Sequence, residues 1–329
     1  MRTSILGHHT AGVSAGPRAI DPECILHGGL LALFGPTGVG KTAVALAVGE
    51  GLRAAGREPV IVSADALQVY AGLEILTGVA TPAEQERVEH RLVSFLPVSA
   101  TFSVAQYSDL AHAQIEDLLA EGRTPIVVGG TGLYLRAALA ELRLRPQPPA
   151  DIQARLRSEL ERDGAPAMHA RLAQRAPWAA ASIHPADRNR VLRALALHEM
   201  GELEPPDGPS ALWTAQMRRP TRLIGLVRER SDLYARIDAR VEGMVAAGAA
   251  AEVRAAQAAG ASETARMALG FNELLTGDIA GMQRRTRNYA KRQLTWMRKL
   301  AGVEVLNIGA RTPQEVARRI LSTSAVHTP

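Results

Sequence analysis

The sequence predicts an α/β protein: a parallel sheet sheathed by helices and interrupted by a small all-helical insertion. Three observations carry that expectation. Short apolar runs alternate with helical stretches, as they do when crossover helices join parallel strands. Glycine, acid and hydroxyl residues follow the strands, where such sheets bind their ligands. The middle of the chain turns rich in arginine and alanine between two proline-rich breaks, "RPQPPAD" and "GELEPPDGPSA".

In chain order, "LLALFG" from Leu30 is a buried strand entering a glycine loop, and "KTAVALAVGEGLRAAG" is the helix that the loop opens. "PVIVSAD" is a second strand, ending on an acid. "SVAQYSDLAHAQIEDLLAEG" is helical and stops at Gly122, and "TPIVVGG" is a third strand. Pro146 to Pro209 is the helical insertion. The strand "RLIGLV" resumes the core, long helices run through "DLYARIDARVEGMVAAGAAAEVRAAQAAG" and "RTRNYAKRQLTWMRKL", and "VEVLNI" is a last strand. The expected organisation is a catalytic core over residues 29–144 and 213–329, an insertion over 145–212, and a loose N-terminal extension over 1–28.

Bulk composition excludes several classes. The chain has 329 residues, 47% hydrophobic and 22% charged, with a net charge of +5. That is an ordinary soluble composition, only mildly basic, so the placement of charge matters more than its total. No apolar run approaches the roughly 20 residues of a membrane span, and the N-terminus has no apolar core of a signal peptide. The single Cys24 excludes a disulfide framework and a thiolate metal cluster and suits a reducing cytosol. His8, His9 and His27 lack the spacing of a metal site.

The residues that carry chemistry follow the strands. Gly35, Pro36, Thr37, Gly38, Val39, Gly40, Lys41 and Thr42 fit G-x-x-x-x-G-K-[ST] between a strand and a helix. Backbone N–H groups curl round an anion there, the helix N-terminus adds positive potential, Lys41 adds a charge, and Thr42 suits magnesium. The ligand therefore carries a di- or triphosphate. Asp65 ends the second strand, where an acid binds magnesium, accepts a proton, or caps a helix. Gln68 and Tyr70 follow, with side chains suited to a base. Past the third strand stand Gly129, Gly130 and Thr131, where an ATPase would place a metal-binding acid; this weighs against motors and switches.

The run from Arg284 to Lys299 contains Arg284, Arg285, Arg287, Lys291, Arg292, Arg298 and Lys299 and no acid. A helical projection puts Ala290, Leu294, Met297 and Ala301 on an apolar stripe and Tyr289 and Trp296 on the polar side, open to stacking. Such a face is either a solvated surface or a nucleic-acid contact. Arg188, Arg190 and Arg193 suggest a second basic surface in the insertion.

Together these stretches resemble the tRNA dimethylallyltransferases, also called tRNA isopentenyltransferases. The resemblance runs from about Leu30 to Asn307 and rests on the phosphate loop, "DALQVYAGL" from Asp65, "GGTGLY" from Gly129, "RNRVLRALALHEMGE", "LYARIDARVEGM" from Leu233, "ALGFNE" and "TRNYAKRQLTW" from Thr286. The last is the most specific. The family implies a phosphate-loop NTPase-like core, dimethylallyl diphosphate as donor, and as acceptor N6 of the adenine 3′ of the anticodon in tRNAs reading codons that begin with U. The base would be flipped into a channel.

The resemblance also implies roles. Asp65 is the general base; Thr131 bonds the oxygen bridging prenyl group and diphosphate; Lys41, Arg240 and Thr42 with Mg2+ stabilise the departing anion. The tRNA anticodon stem-loop would meet Asp65, Ala66, Leu67, Gln68 and Thr131, with Gln68 on the adenine edge. It would also meet Gln153, Asn189, Arg190, Val191, Leu192 and Arg193 of the insertion, and Lys291, Arg292, Gln293, Leu294, Thr295, Trp296, Met297 and Arg298. The protein would act as a cytoplasmic monomer with no membrane partner. The chain departs from the family pattern at Ala66, Arg91, Gln153 and Asn272, with Arg155 and Arg157 as substitutes for an arginine facing the tRNA. Rival readings are an isopentenyltransferase using free adenine nucleotides, a phosphate-loop kinase, and a nucleic-acid-binding ATPase.

Overall fold

The structure is a computed structural model that describes residues 29–205, 208 and 210–322. The expected N-terminal extension, with Cys24, His8, His9 and His27, and the expected insertion end at Pro209 lie outside the described residues.

Strands β1 (Leu30–Phe34) and β2 (Pro59–Ser63) belong to the main sheet, whereas β3 (Tyr70–Ala71) does not. The edge strand β4 (Glu89–Arg91) joins the main sheet, and β5 (Leu96–Pro97) pairs with β3. Strands β6 (Thr124–Gly129), β7 (Thr221–Val227) and β8 (Val303–Asn307) complete it. The order is β4-β2-β6-β1-β7-β8, every pairing parallel. This is the phosphate-loop NTPase-like α/β core that the sequence predicts.

Why β1 lies centrally follows from its composition. All five residues of "LLALF" are apolar and buried. Side chains alternate across a pleated strand, so Leu30, Ala32 and Phe34 join one core while Leu31 and Leu33 join the core on the other face. A strand buried on both faces has no place at a sheet edge.

Helices fill the crossovers. They are α1 (Lys41–Ala54), α2 (Glu74–Thr77), α3 (Pro82–Arg87), α4 (Val104–Ala120) and α5 (Gly132–Leu139). Helix α4 starts with a capping box: the Ser103 side chain accepts from the Gln106 N–H and Gln106 reaches back to the Ser103 N–H. Three helices, α6 (Ala150–Arg175), α7 (Pro177–Ser182) and α8 (Arg188–Glu199), pack on a core of their own that includes Leu156, Leu160, Leu172, Val191 and Leu195. Within α6 the chain kinks at Gly164, at φ 80°, just before Pro166.

The C-terminal helices are α9 (Arg230–Ala246), α10 (Ala249–Ala258), α11 (Glu263–Arg266), α12 (Phe271–Thr276), α13 (Ile279–Lys299) and α14 (Pro313–Ser322). The helical run expected through "DLYARIDARVEGMVAAGAAAEVRAAQAAG" is two helices, because Gly248 takes φ 100° between α9 and α10. The sequence reading omitted β4 and α14. Strand β4 is "EHR", without an apolar residue to mark it, and Arg91 there bonds Glu89 at 2.8 Å and Gln114 at 2.9 Å. Among the described residues no helix is long and apolar enough to cross a membrane.

Candidate active site

The C-terminal ends of β1, β2 and β6 open onto one cavity of about 780 Å³. The phosphate loop forms one end, with Thr37, Lys41 and Thr42 on its wall. Asp65 and Gln68, past β2, and Arg240, from α9, line the same space. Helix α13 supplies a further wall through Tyr289, Arg292 and Gln293, and Leu76, Val241, Met244 and Met282 make part of the lining apolar.

Lys41 is half-buried, and its ammonium bonds the loop's own Gly35 and Pro36 carbonyls at 2.9 and 3.1 Å. Burial, and next the nearby Arg240 guanidinium, pull its pKa down to about 8, while Asp65 opposes the shift. Two cations held this close in an enclosed space are poised for an anion. Arg240 lines this cavity, and desolvation there lowers its pKa against the pull of Asp65. Its place depends on Gly78, at φ 65°, where any side chain would overlap the guanidinium.

Asp65 is not a helix N-cap. The next helix starts at Glu74, and Asp65 Oδ1 instead accepts the Leu67 N–H at 3.0 Å, fixing the turn after β2. Gln68 lines the cavity with its amide already engaged: Ser63 donates to Oε1 at 2.8 Å and Nε2 donates to the Gly78 carbonyl at 3.0 Å. Tyr70, expected beside it at a base, is fully buried in the core. Thr131 directly follows the lining residues Gly129 and Gly130, its hydroxyl 3.2 Å from that of Tyr289, which faces the cavity. Burial and then the Asp65 charge push the Tyr289 phenol up to about 12.

Helix α13 corrects several expectations. Its buried face holds Met282, Thr286, Ala290, Gln293 and Met297, so it is centred on two polar residues rather than on Leu294. Thr286 satisfies its hydroxyl on the Met282 carbonyl at 2.7 Å, and Gln293 bonds main chain at both ends. An apolar projection cannot see such a face. Consequently Tyr289 points inward, and Trp296 packs on Trp213 with ring centroids 4.7 Å apart instead of offering a stacking surface. Gln293 and Met297 are buried and Leu294 is packed against the second core, so none of the three belongs to the exposed face that carries Lys291 and Arg298. Lys291, Arg292, Thr295 and Arg298 are exposed. Of the expected unopposed arginines, Arg285 pairs with Glu273, and Arg287 with Asp238 at 2.5 Å. Arg284 and Arg298 have no acidic partner among the described residues.

In the insertion, Val191 is fully buried in the local core and cannot contact a ligand. Gln153, Asn189, Leu192 and Arg193 surround a cavity of about 170 Å³, and Arg193 donates to the Arg145 carbonyl at 2.9 Å. Arg188 and Arg190 are exposed, the latter 3.4 Å from Asp187. Arg155 is held by Glu159 and Glu199, and Arg157 by Glu263, so the two proposed substitutes are already paired.

A phosphate loop, a carboxylate facing the same cavity, and no acid at the end of β6 define a phosphate-loop transferase. A family model described as IPP transferase matches residues 68–300. The chain is 42% identical over 305 residues to the tRNA dimethylallyltransferase of Kineococcus radiotolerans, covering 89% of this chain and 95% of that one. It is 39% identical over 310 residues to the tRNA dimethylallyltransferase of Symbiobacterium thermophilum, covering 88% and 94%. The crystal structure of the Bacillus halodurans tRNA isopentenylpyrophosphate transferase superposes with a TM-score of 0.64 at 32% identity, over 89% of this chain and 94% of that one. A eukaryotic dimethylallyltransferase acting on tRNA shares the fold, with a TM-score of 0.68 at 22% identity over 88% and 77%. The chain belongs to the IPP transferase family.

Proposed function

We propose that the protein transfers a dimethylallyl group from dimethylallyl diphosphate to N6 of the adenine 3′ of the anticodon, in tRNAs reading codons that begin with U. The observation that carries this reading is the single cavity in which Lys41 and Thr42 face Asp65 and Arg240. The diphosphate would lie on the loop, and the apolar lining of Leu76, Val241, Met244 and Met282 suits the hydrocarbon. The flipped adenine would enter beside Asp65 and Gln68.

In the transfer the allylic C–O bond breaks and a C–N6 bond forms. Asp65 takes the N6 proton. Lys41 and Arg240 stabilise the charge appearing on the diphosphate, and Thr131 bonds the bridging oxygen. Magnesium fits the residues present: the Thr42 hydroxyl on the cavity wall offers an oxygen ligand, and this ion is commonly held by few protein groups together with substrate phosphates. When bound it neutralises diphosphate charge.

The exposed Lys291, Arg292 and Arg298, with Arg188 and Arg190 of the insertion, would hold the anticodon stem-loop by its phosphates. A comparison of acceptors tests the reading. Unmodified tRNA should accept label from dimethylallyl diphosphate, with an affinity that falls steeply as salt rises. Efficient transfer to AMP with a flat salt response would instead indicate an enzyme of free nucleotides.

A further inference from the structure

Three residues on one face of α13 meet three consecutive residues, Gly130, Thr131 and Gly132, where β6 turns into α5. Tyr289 Oη lies 3.2 Å from Thr131 Oγ1. One helical turn later, Gln293 Nε2 donates to the Gly130 carbonyl at 2.8 Å. Trp296 fills the space that a side chain at Gly132 would need. Positions 289, 293 and 296 share a helical face, so the contact is in register.

Gln293 does more than hold the turn. It is only 4% exposed, and its Oε1 accepts the Thr37 N–H of the phosphate loop at 2.8 Å. One buried amide therefore spans the two pieces of main chain between which the leaving group departs. Arg292 lies over the Tyr289 ring, its guanidinium 5.5 Å from the ring centre. Burial, and next the Asp65 charge, push the phenol up to about 12, so it keeps its proton at working pH.

We propose that Tyr289 and Gln293 are positioning residues for the transfer: Gln293 fixes the separation of the phosphate loop and the Gly130–Thr131 turn, and Tyr289 fixes the direction of the Thr131 hydroxyl. When Tyr289 donates to Thr131 Oγ1, the threonine's single proton is left for the oxygen leaving the prenyl carbon. No proton changes owner; the pair is a fixed dipole aimed at developing charge. This inference rests on the role given to Thr131 above.

The experiment measures single-turnover transfer of labelled dimethylallyl to unmodified tRNA at saturating substrates. It compares wild type, Tyr289→Phe, Thr131→Ala and the double variant, with pyrophosphate and tRNA affinities measured alongside. Thr131→Ala should slow transfer about 100-fold, the scale of a lost transition-state donor. Tyr289→Phe should slow it about tenfold, with both affinities held within about twofold, and the double variant should be no slower than Thr131→Ala. Gln293→Glu keeps the acceptor for Thr37 but sets an oxygen against the Gly130 carbonyl, so it should lower both rate and pyrophosphate affinity. Losses that multiply in the double variant, a Tyr289→Phe enzyme as fast as wild type, or a Gln293→Glu enzyme unchanged would overturn the proposal. If the wild type transfers no label, the functional reading fails and takes this inference with it; label with multiplying losses removes this inference alone.

Discussion

The proposed donor end of the cavity and the basic surface proposed to face RNA are built in opposite ways. The donor end is main chain from one contiguous stretch, Gly35–Thr42, tightened by Lys41 on its own carbonyls and by Gln293 on Thr37. The proposed RNA surface is separate side chains from α8 and α13, exposed and in part unpaired. A preorganised anion cradle is suited to charge that develops during the reaction, whereas mobile surface cations suit phosphates that only need holding. The difference separates chemistry from grip: substitutions at one end should move rate, and at the other affinity.

The largest effect should come from Asp65→Ala, about a thousandfold on single-turnover rate with tRNA affinity little changed, since an oriented base contributes about 10²–10⁴. Arg240→Ala should follow at about 100-fold, with weaker pyrophosphate binding. A pH profile sharpens the same end. Burial pulls the Lys41 pKa in the free protein down to about 8, and only the ammonium attracts the diphosphate. The kcat/KM for donor should therefore be level below pH 8 and fall as pH rises through it. The bound diphosphate raises the Lys41 pKa, so the break in kcat should lie higher.

At the RNA surface, Arg298→Ala or Lys291→Ala should lower the slope of log affinity against log salt by about one each, leaving the rate at saturation unchanged. The smallest effect on catalysis is expected of Val191→Ala. It should cost about 1–2 kcal/mol of stability, read by denaturant melting, and leave the salt slope intact. A large tRNA defect with normal stability would restore Val191 to the interface.

The donor end was the more legible in the sequence, for a physical reason. A loop that must curl seven or eight residues round an anion leaves a local pattern, and Asp65 is marked by its place after a buried strand. The α13 contacts are different. Gln293 and Trp296 match the family's motif, which implies RNA contacts, yet they face inward, because Thr286 satisfies its hydroxyl one turn back on Met282 and Gln293 bonds main chain far away in sequence. Val191 and Tyr70 failed similarly, as apolar core positions among functional neighbours. Strand β4 left no signal, being three polar residues held by pairing to β2. Tyr289, placed on the polar side by the projection, was recoverable only by counting Gln293 as an inward residue.

The most direct measurement of the central claim supplies unmodified tRNA, magnesium and labelled dimethylallyl diphosphate to the wild type and to Asp65→Ala, then locates the label by nucleoside analysis. The account predicts label on N6 of the adenine 3′ of the anticodon with the wild type and almost none with the variant. Steady release of phosphate from ATP with no label in the RNA, or equal labelling by both proteins, would contradict it.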